Sequence, residues 1–280
     1  MNPVILYHGN CTDGTGAALA AFMRFGMSAG YIAVNYGQPL PDGLDGHDLF
    51  ILDFSYPRDA LEKLHRSAKS LIVLDHHATA QKDLEGLEYA RFDMDKSGAV
   101  LAWEYFFPNK PVPEFFLYLQ DRDLWKFELP LSREVSMALR SYPFNYEDWV
   151  NLYEDVGRLK SEGVSCRRLT EQQVETMAKN MRIGFFDLRD DAAIYFDRGE
   201  SGTANTYNVP VANATVFFSE VGERLLQLFP DAPFSAYYLD RADGKRQWGL
   251  RSRKDFDCSV VAKAFGGGGH KQASGFIQNL

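Results

Sequence analysis

The feature that most constrains this chain is a set of short apolar runs, each of which stops at an acid or a histidine. The plainest is residues 71–78, LIVLDHHA, where four apolar residues give way to Asp75, His76 and His77. A brief apolar run of this kind reads as a buried strand of a parallel sheet. Open α/β sheets gather their ligands just beyond the carboxyl ends of such strands. Taken alone, the stretch fits a polar strand end followed by a loop equally well, so its meaning depends on what surrounds it.

The same pattern recurs upstream. Residues 4–7 form an apolar run that ends at His8, followed by GNCTDGTG (9–16) and an apolar segment up to Phe25. This reads as strand, glycine-containing turn and helix. Asp13 lies near the helix start, where an acid also serves as a cap, and His8 also suits a simple strand-end hydrogen bond. A second apolar stretch covers 31–36. A loop rich in Pro, Gly and Asp (38–47) then leads to 49–52, which ends at Asp53. Residues 57–67 carry Leu61 and Leu64 at helical spacing, with Ala68 just beyond, and Pro57 suits a first turn. The order is β-α-β-β-α-β. If its strands lie parallel and adjacent, His8, Asp53 and Asp75-His76-His77 face one crevice.

Further on, Ser97 is placed to cap a helix over the apolar segment 100–107. The apolar run 115–119 leads into Gln120-Asp121-Arg122-Asp123, which by itself reads as a surface ion-pair cluster. Residues 145–159 have the spacing of one amphipathic helix, with polar helical sequence following to 179. The chain therefore divides into an N-terminal domain at 1–153, a helical connector at 154–183 and a C-terminal domain at 184–280. In the last of these, 192–196, 209–213, 234–239 and 247–251 read as strands, and 219–229 and 259–265 as helices. Gly266–Gly269 then precede His270 and Lys271. A flexible linker is one reading of four glycines. Their position between an amphipathic helix and a further apolar end favours a loop whose amides line a phosphate site. Arg251, Arg253, Lys254, His270 and Lys271 would add positive charge, although Arg253 and Lys254 also fit a solvated surface. The expected architecture is α/β in two domains: a mostly parallel sheet flanked by helices, and a smaller mixed-sheet domain.

Composition narrows the function classes. A formal charge of −8 argues against an extended duplex footprint, which usually needs a basic face. It is compatible with a small phosphorylated substrate. No run is long enough for a membrane span, and the N-terminus lacks the marks of a signal peptide. Three widely spaced cysteines (Cys11, Cys166, Cys258) give neither a disulfide framework nor zinc spacing, so a reducing cytoplasm is expected.

Together, YHGNCTDG, LDFS, LDHHA, QDRD, LRSR and GGGGHKQASGF resemble the DHH phosphoesterase family, in that order and over nearly the whole chain. The resemblance implies a metal-dependent phosphodiesterase with its active site in a cleft between the domains. It implies one or two Mn²⁺ ions, with Mg²⁺ or Co²⁺ as substitutes, held by His8, Asp13, Asp53, His76 and Asp121. Asp53 would bridge, Asp75 would orient a histidine, and His77 would face the substrate or leaving group. Arg251, Ser252, His270 and the amides of Gly267, Gly268 and Gly269 would hold phosphate. The expected substrate is a short linear oligonucleotide or dinucleotide, cleaved to nucleoside monophosphates. Alternatives within the resemblance are a single-strand DNA exonuclease, a phosphatase for a nucleoside bisphosphate, a cyclic-dinucleotide phosphodiesterase and, last, a nucleotide binder without activity. Long duplex and membrane partners are not expected, and a homodimer stays open. One position departs from the family pattern: Cys11 stands where an aspartate is usual. Either Cys11 ligates, or the first metal position is weaker.

Overall fold

The computed structural model describes residues 2–189, 192–196 and 205–280. By contact density the chain forms two compact units, 1–167 and 168–280. In the first unit, β1 (Val4–His8) is followed by α1 (Thr12–Phe25), a short 3₁₀ turn and β2 (Gly30–Val34). Then come β3 (Asp48–Leu52), α2 (Arg58–Ser67), β4 (Ser70–Asp75), α3 (Ala78–Asp83) and β5 (Ala90–Phe92). Four helices complete the run: α4 (Gly98–Phe106), α5 (Glu114–Asp123), α6 (Ser132–Leu139) and α7 (Tyr146–Tyr153). The five strands form one sheet in the order β2-β1-β3-β4-β5, parallel throughout.

The expected strand-end arrangement is therefore realised. β1, β3 and β4 are neighbours running in the same direction, so His8, Asp53 and Asp75 lie along one edge of the sheet. The strand order reverses between β1 and β3, where open α/β sheets place their ligand crevice.

Strand periodicity sets which helix layer each residue meets. Ile5, Tyr7, Leu52 and Leu74 pack with α1, α4, α5 and α7 through Ala17, Ala21, Trp103, Phe115, Phe116 and Trp149. Leu6, Leu49, Ile51, Leu71 and Val73 point the other way, to Leu61 and Leu64 of α2 and to Leu84. Both faces are buried, which is why these strands read as continuous apolar runs.

The amphipathic stretch 145–159 is two helices, not one. After α7, Asp155 accepts a hydrogen bond from the Arg158 amide (2.9 Å) and starts α8 (Val156–Lys179). Apolar spacing continues across the break, so periodicity alone does not mark it. The polar stretch expected to connect two domains is mostly this one helix, and it crosses the boundary between the units.

The second unit adds β6 (Arg182–Asp187), β7 (Ala193–Phe196), β8 (Thr206–Asn213), α9 (Phe218–Leu228), β9 (Phe234–Asp240), β10 (Lys245–Ser252), α10 (Cys258–Ala264), β11 (Gly268–His270) and β12 (Ala273–Asn279). Its seven strands are ordered β11-β12-β10-β9-β8-β6-β7, antiparallel except for β8 beside β9. β6 begins inside the stretch expected to be connector. One face packs Phe186, Phe234, Trp248 and Leu250 against Cys258, Val261 and Ala262 of α10. Val174 and Ala178 of α8 pack with Ala212, Val221 and Leu225. Among the described residues, no helix is long and apolar enough to cross a membrane.

Trp149 of α7 is fully buried, meets Phe115 of α5 edge-on and donates its indole N–H to the Pro143 carbonyl (3.0 Å). Trp149→Ala is expected to cost about 3–5 kcal/mol in urea unfolding. A loss below about 1 kcal/mol would show that α7 is not part of the core.

Candidate metal centre

The loop after β1 turns at Asn10, which has a left-handed backbone (φ 53°), and delivers Cys11 to the start of α1. The helix comes very close to the strand end. A Cβ added at Gly14 would lie 2.2 Å from the His8 carbonyl oxygen, so only glycine fits there. Cys11 sits at the N-cap of α1, but its side chain makes no cap hydrogen bond; its carbonyl accepts from the Thr15 amide and hydroxyl.

Asp13 does not cap its own helix. Its carboxylate accepts from the Gly98 amide (2.5 Å) and the Ala99 amide (3.1 Å), the first turn of α4. A helix N-terminus offers unpaired amides and a partial positive charge, both of which suit a buried acid. Ser97 caps α4 as expected, accepting from Val100 N (3.4 Å). The start of α4 also abuts Asp53: a Cβ at Gly98 would lie 2.4 Å from Asp53 Cβ.

Asp53 follows β3 with a left-handed backbone (φ 55°), a strained state for a residue with a side chain. Its amide donates to the Leu74 carbonyl (2.9 Å), and its side chain is 1% exposed. Asp53 Oδ2 lies 3.5 Å from His8 Nδ1 and 3.7 Å from Cys11 Sγ, while Oδ1 lies 3.2 Å from His76 Nε2. The same His76 nitrogen is 3.4 Å from Asp123 Oδ2 and 3.7 Å from Asp13 Oδ2. Three acids thus converge on one imidazole nitrogen.

Asp75, fully buried, serves His77. Its Oδ1 is 2.6 Å from His77 Nδ1 and also accepts from the His76 amide (2.7 Å). Ser55 Oγ donates to Oδ2 (2.6 Å). A carboxylate on one ring nitrogen fixes the orientation of the ring and leaves Nε2 for other work.

Asp121 requires a correction. Its carboxylate accepts from the backbone amides of Glu128 (3.0 Å) and Leu129 (3.2 Å), and its carbonyl from Lys126 (2.9 Å). It holds the loop after α5, where Trp125, Phe127 and Leu131 all have positive φ. Asp123 is the acid that reaches the histidines. Residues two apart on a helix point in different directions, so only one of the pair can face the site. Gln120, three residues before Asp123 and on the same face, accepts from the Ser97 amide at the start of α4, so this face of α5 is the one turned to the site.

Ligand atoms gather within 4.8 Å of one another in three overlapping groups: His8–Cys11–Asp53, Asp53–His76–His77 and Asp13–His76–Asp123. Carboxylate and imidazole donors in this density suit divalent cations. His8 Nδ1 and Asp53 Oδ1 are buried and make no hydrogen bond, as expected of atoms placed to ligate.

The electrostatics agree. Burial, with the charges of Asp53 and Asp123, pushes the Asp13 carboxyl well above the usual range. Burial also raises Asp123. Burial and the neighbouring Asp53, Asp123 and Asp13 raise the Cys11 thiol. At Asp53 burial acts in the same direction, but the close approach of the His76 and His8 rings outweighs it and holds the carboxyl low. Burial disfavours a charged His76, yet its acidic neighbours prevail and raise it to about 10.

In the second unit, Arg251, Ala273 and His270 lie opposite one another across β10, β12 and β11. Opposed residues of antiparallel strands share a face, so the two basic residues flank a small one. The Arg251 guanidinium donates to Ser219 Oγ (2.6 Å) and the Leu250 carbonyl (2.8 Å). The Ser252 hydroxyl donates to the Phe256 carbonyl (2.7 Å) and is 3.1 Å from the Lys271 carbonyl. The glycine run is not an open loop. The Gly267 amide donates to the Ala262 carbonyl (2.8 Å) at the end of α10, and Gly268 and Gly269 pair with β12. The sequence did not show this pairing, because β12 lies beyond the run; β11 is at the edge of the sheet, with β12 on one side.

Asp121→Ala leaves two amides without an acceptor and is expected to cost about 1–3 kcal/mol in unfolding, with metal affinity largely kept. Asp123→Ala is expected to do the reverse. Denaturant unfolding and Mn²⁺ titration on both variants distinguish them; the opposite pattern would restore Asp121 to the centre. A cation must also displace the proton from His76, whose pKa is raised to about 10, so apparent Mn²⁺ affinity is expected to be tighter at about pH 8 than at about pH 6. Equal affinity at both would place the cation elsewhere.

No protein-family model matches the chain. An uncharacterised protein of Acanthamoeba polyphaga mimivirus is 30% identical over 293 aligned positions, covering 97% of this chain and 66% of that protein. Oligoribonuclease NrnB of Bacillus subtilis is 24% identical over 300 positions, covering 96% and 71% respectively. The chain spans about two thirds of the length of these curated relatives. Among solved structures, the pGpG-specific phosphodiesterase PggH from Vibrio cholerae matches with a TM-score of 0.51 at 13% identity, covering all of this chain and 94% of that one, a likeness of fold. The chain thus shares the fold of a pGpG-specific phosphodiesterase and is similar in sequence to an oligoribonuclease, in agreement with the resemblance of its motifs to the DHH phosphoesterases.

Proposed function

We propose that this chain is a divalent-metal-dependent phosphodiesterase that hydrolyses short linear oligonucleotides or dinucleotides to nucleoside monophosphates. The observation that carries this reading is the convergence of Asp13, Asp53 and Asp123 on His76, with Asp53 also facing His8. Such a set offers two neighbouring cation positions, His8–Cys11–Asp53 and Asp13–His76–Asp123, linked by the 3.2 Å approach of Asp53 Oδ1 to His76 Nε2. NrnB, an oligoribonuclease, and PggH, a pGpG-specific phosphodiesterase, agree with a short substrate. So does the net charge of −8, which disfavours a long polyanion.

Divalent ions, when bound, would neutralise phosphate charge and lower the pKa of a nearby water. Asp13, Asp53, His8, His76 and Asp123 would hold them, Mn²⁺ being the expected ion. Asp13 is kept in place by the α4 amides, so its carboxylate need not reorganise when a cation arrives. Asp75 fixes His77 through Nδ1, and Ser55 fixes Asp75. Burial disfavours a charged His77, but Asp75 outweighs it and raises the pKa, which favours the ring as the proton donor to the leaving oxygen. Arg251 and His270 would hold a substrate phosphate in the second unit, a role suited to a guanidinium fork.

The test is turnover of an oligonucleotide ladder, from dinucleotide to long single strand, with Mn²⁺, with Mg²⁺ and with chelator. Preference for the shortest rungs and loss of activity in chelator are expected. Processive degradation of long strands would favour an exonuclease, and chelator resistance would overturn the metal reading. Asp53→Ala is expected to abolish metal-dependent hydrolysis. His77→Ala is expected to lower kcat by about 10²–10⁴-fold with KM little changed.

A further inference from the structure

The sulfur of Cys11 lies among the oxygen and nitrogen donors of the cluster, and local structure does not require it there. N-caps favour Ser, Thr, Asp or Asn, whose side chains accept from the first helical amides. Cys11 occupies that position in α1 and makes no such bond. Its Sγ turns to Asp53 instead, at 3.7 Å from Oδ2, long even for a thiol hydrogen bond.

The distances around Asp53 Oδ2 have a simple explanation. A tetrahedral ion about 2.3 Å from a sulfur and about 2.1 Å from an oxygen holds those atoms about 3.6 Å apart. One that binds an imidazole nitrogen at about 2.05 Å holds it about 3.4 Å from the same oxygen. The separations here are 3.7 Å for Cys11 Sγ and 3.5 Å for His8 Nδ1. Two further atoms point to a ligand independently of the cysteine. His8 Nδ1 is buried, has no hydrogen bond and faces Asp53 Oδ2, and the 1% exposed Asp53 carboxylate leaves its other oxygen, Oδ1, without a hydrogen bond beside His76. The chain's other cysteines have no such surroundings: Cys258 is buried and accepts from Ser274 Oγ (3.2 Å), and Cys166 lies within α8.

We propose that Cys11 Sγ is a metal ligand, so that the His8–Cys11–Asp53 position takes borderline or soft divalent ions such as Co²⁺, Zn²⁺ or Cd²⁺ in preference to Mg²⁺ or Mn²⁺. The proposal rests on the metal-centre reading above and adds to it that the two positions differ chemically. Asp13–His76–Asp123 offers two carboxylates and an imidazole and keeps the character of a hard-ion site, while the Cys11 position combines nitrogen, sulfur and oxygen. On binding, the S–H bond breaks, a sulfur–metal bond forms and the thiol proton leaves to buffer. The net charge of the position is then the same as with an aspartate ligand, and only its softness changes.

Absorption spectroscopy of the metal-free full chain titrated with Co²⁺ alone tests this without reference to activity. Visible d–d bands report binding, and an intense near-ultraviolet band reports a thiolate on the ion. The near-ultraviolet band is expected in the wild type and in Cys166→Ser. It is expected to be absent in Cys11→Ser and Cys11→Asp, both of which still show d–d bands. Cys11→Asp is expected to lower the ratio of Cd²⁺ to Mn²⁺ affinity by about tenfold or more, since even residues behind the ligands change affinity by 10–100-fold. In the wild type, Co²⁺ is expected to protect Cys11 from alkylation while Cys166 stays reactive, a readout that needs no variant to fold. Co²⁺ binding with no near-ultraviolet band, or a band that persists in Cys11→Ser, overturns the cysteine assignment and leaves the metal centre standing. Absence of any d–d absorption overturns both.

Discussion

The arrangement depends on one buried carboxylate, that of Asp53. It sits just beyond a parallel strand, in a left-handed backbone, with one oxygen toward His8 and Cys11 and the other toward His76. Two more acids, Asp13 and Asp123, approach the same imidazole. Like charges brought together in a medium of low dielectric repel, and burial adds a desolvation cost. The strain and the repulsion are sustained by what surrounds them. The α4 amides bind Asp13, the Asp53 amide is tied to β4, and an apolar core on both faces of the sheet fixes the strand ends. Backbone strain kept at a rigid strand end is typical of functional sites. A cation set among the donors would turn the repulsion into attraction.

Close packing follows from that requirement. The start of α4 has to come near enough to give its amides to Asp13, and Gly98 leaves no room for a side chain against Asp53. The start of α1 has to come near the end of β1, and Gly14 meets the His8 carbonyl. These glycines are spaced by the site and not by turn geometry. Asp121 and Asp75 hold the next layer, the first through the amides of the loop after α5, the second through His77 and Ser55.

Much of this could be read in the chain itself. A strand buried on both faces must be an apolar run, and an acid or histidine that ends such a run must lie at the sheet's edge. His8, Asp53 and residues 75–77 were therefore legible, as were the order of the first six elements and the cap at Ser97. Less was legible where neighbours in sequence compete for one role. In Gln120-Asp121-Arg122-Asp123 both acids are plausible ligands until the phase of α5 is known. Asp75 could have oriented either histidine; the turn after β4 brings it to His77. The glycine run reads as an open loop until β12 is paired beside it.

The sequence by itself determined which strand ends carry chemistry and that a parallel sheet would bring them together. That information is local, because burial dictates composition over five or six residues. Tertiary structure alone decided which acid turns inward, which histidine Asp75 holds, and that Cys11 points toward Asp53 and not into its own helix cap. Those choices depend on helical phase and on contacts between residues tens of positions apart, which no local pattern encodes.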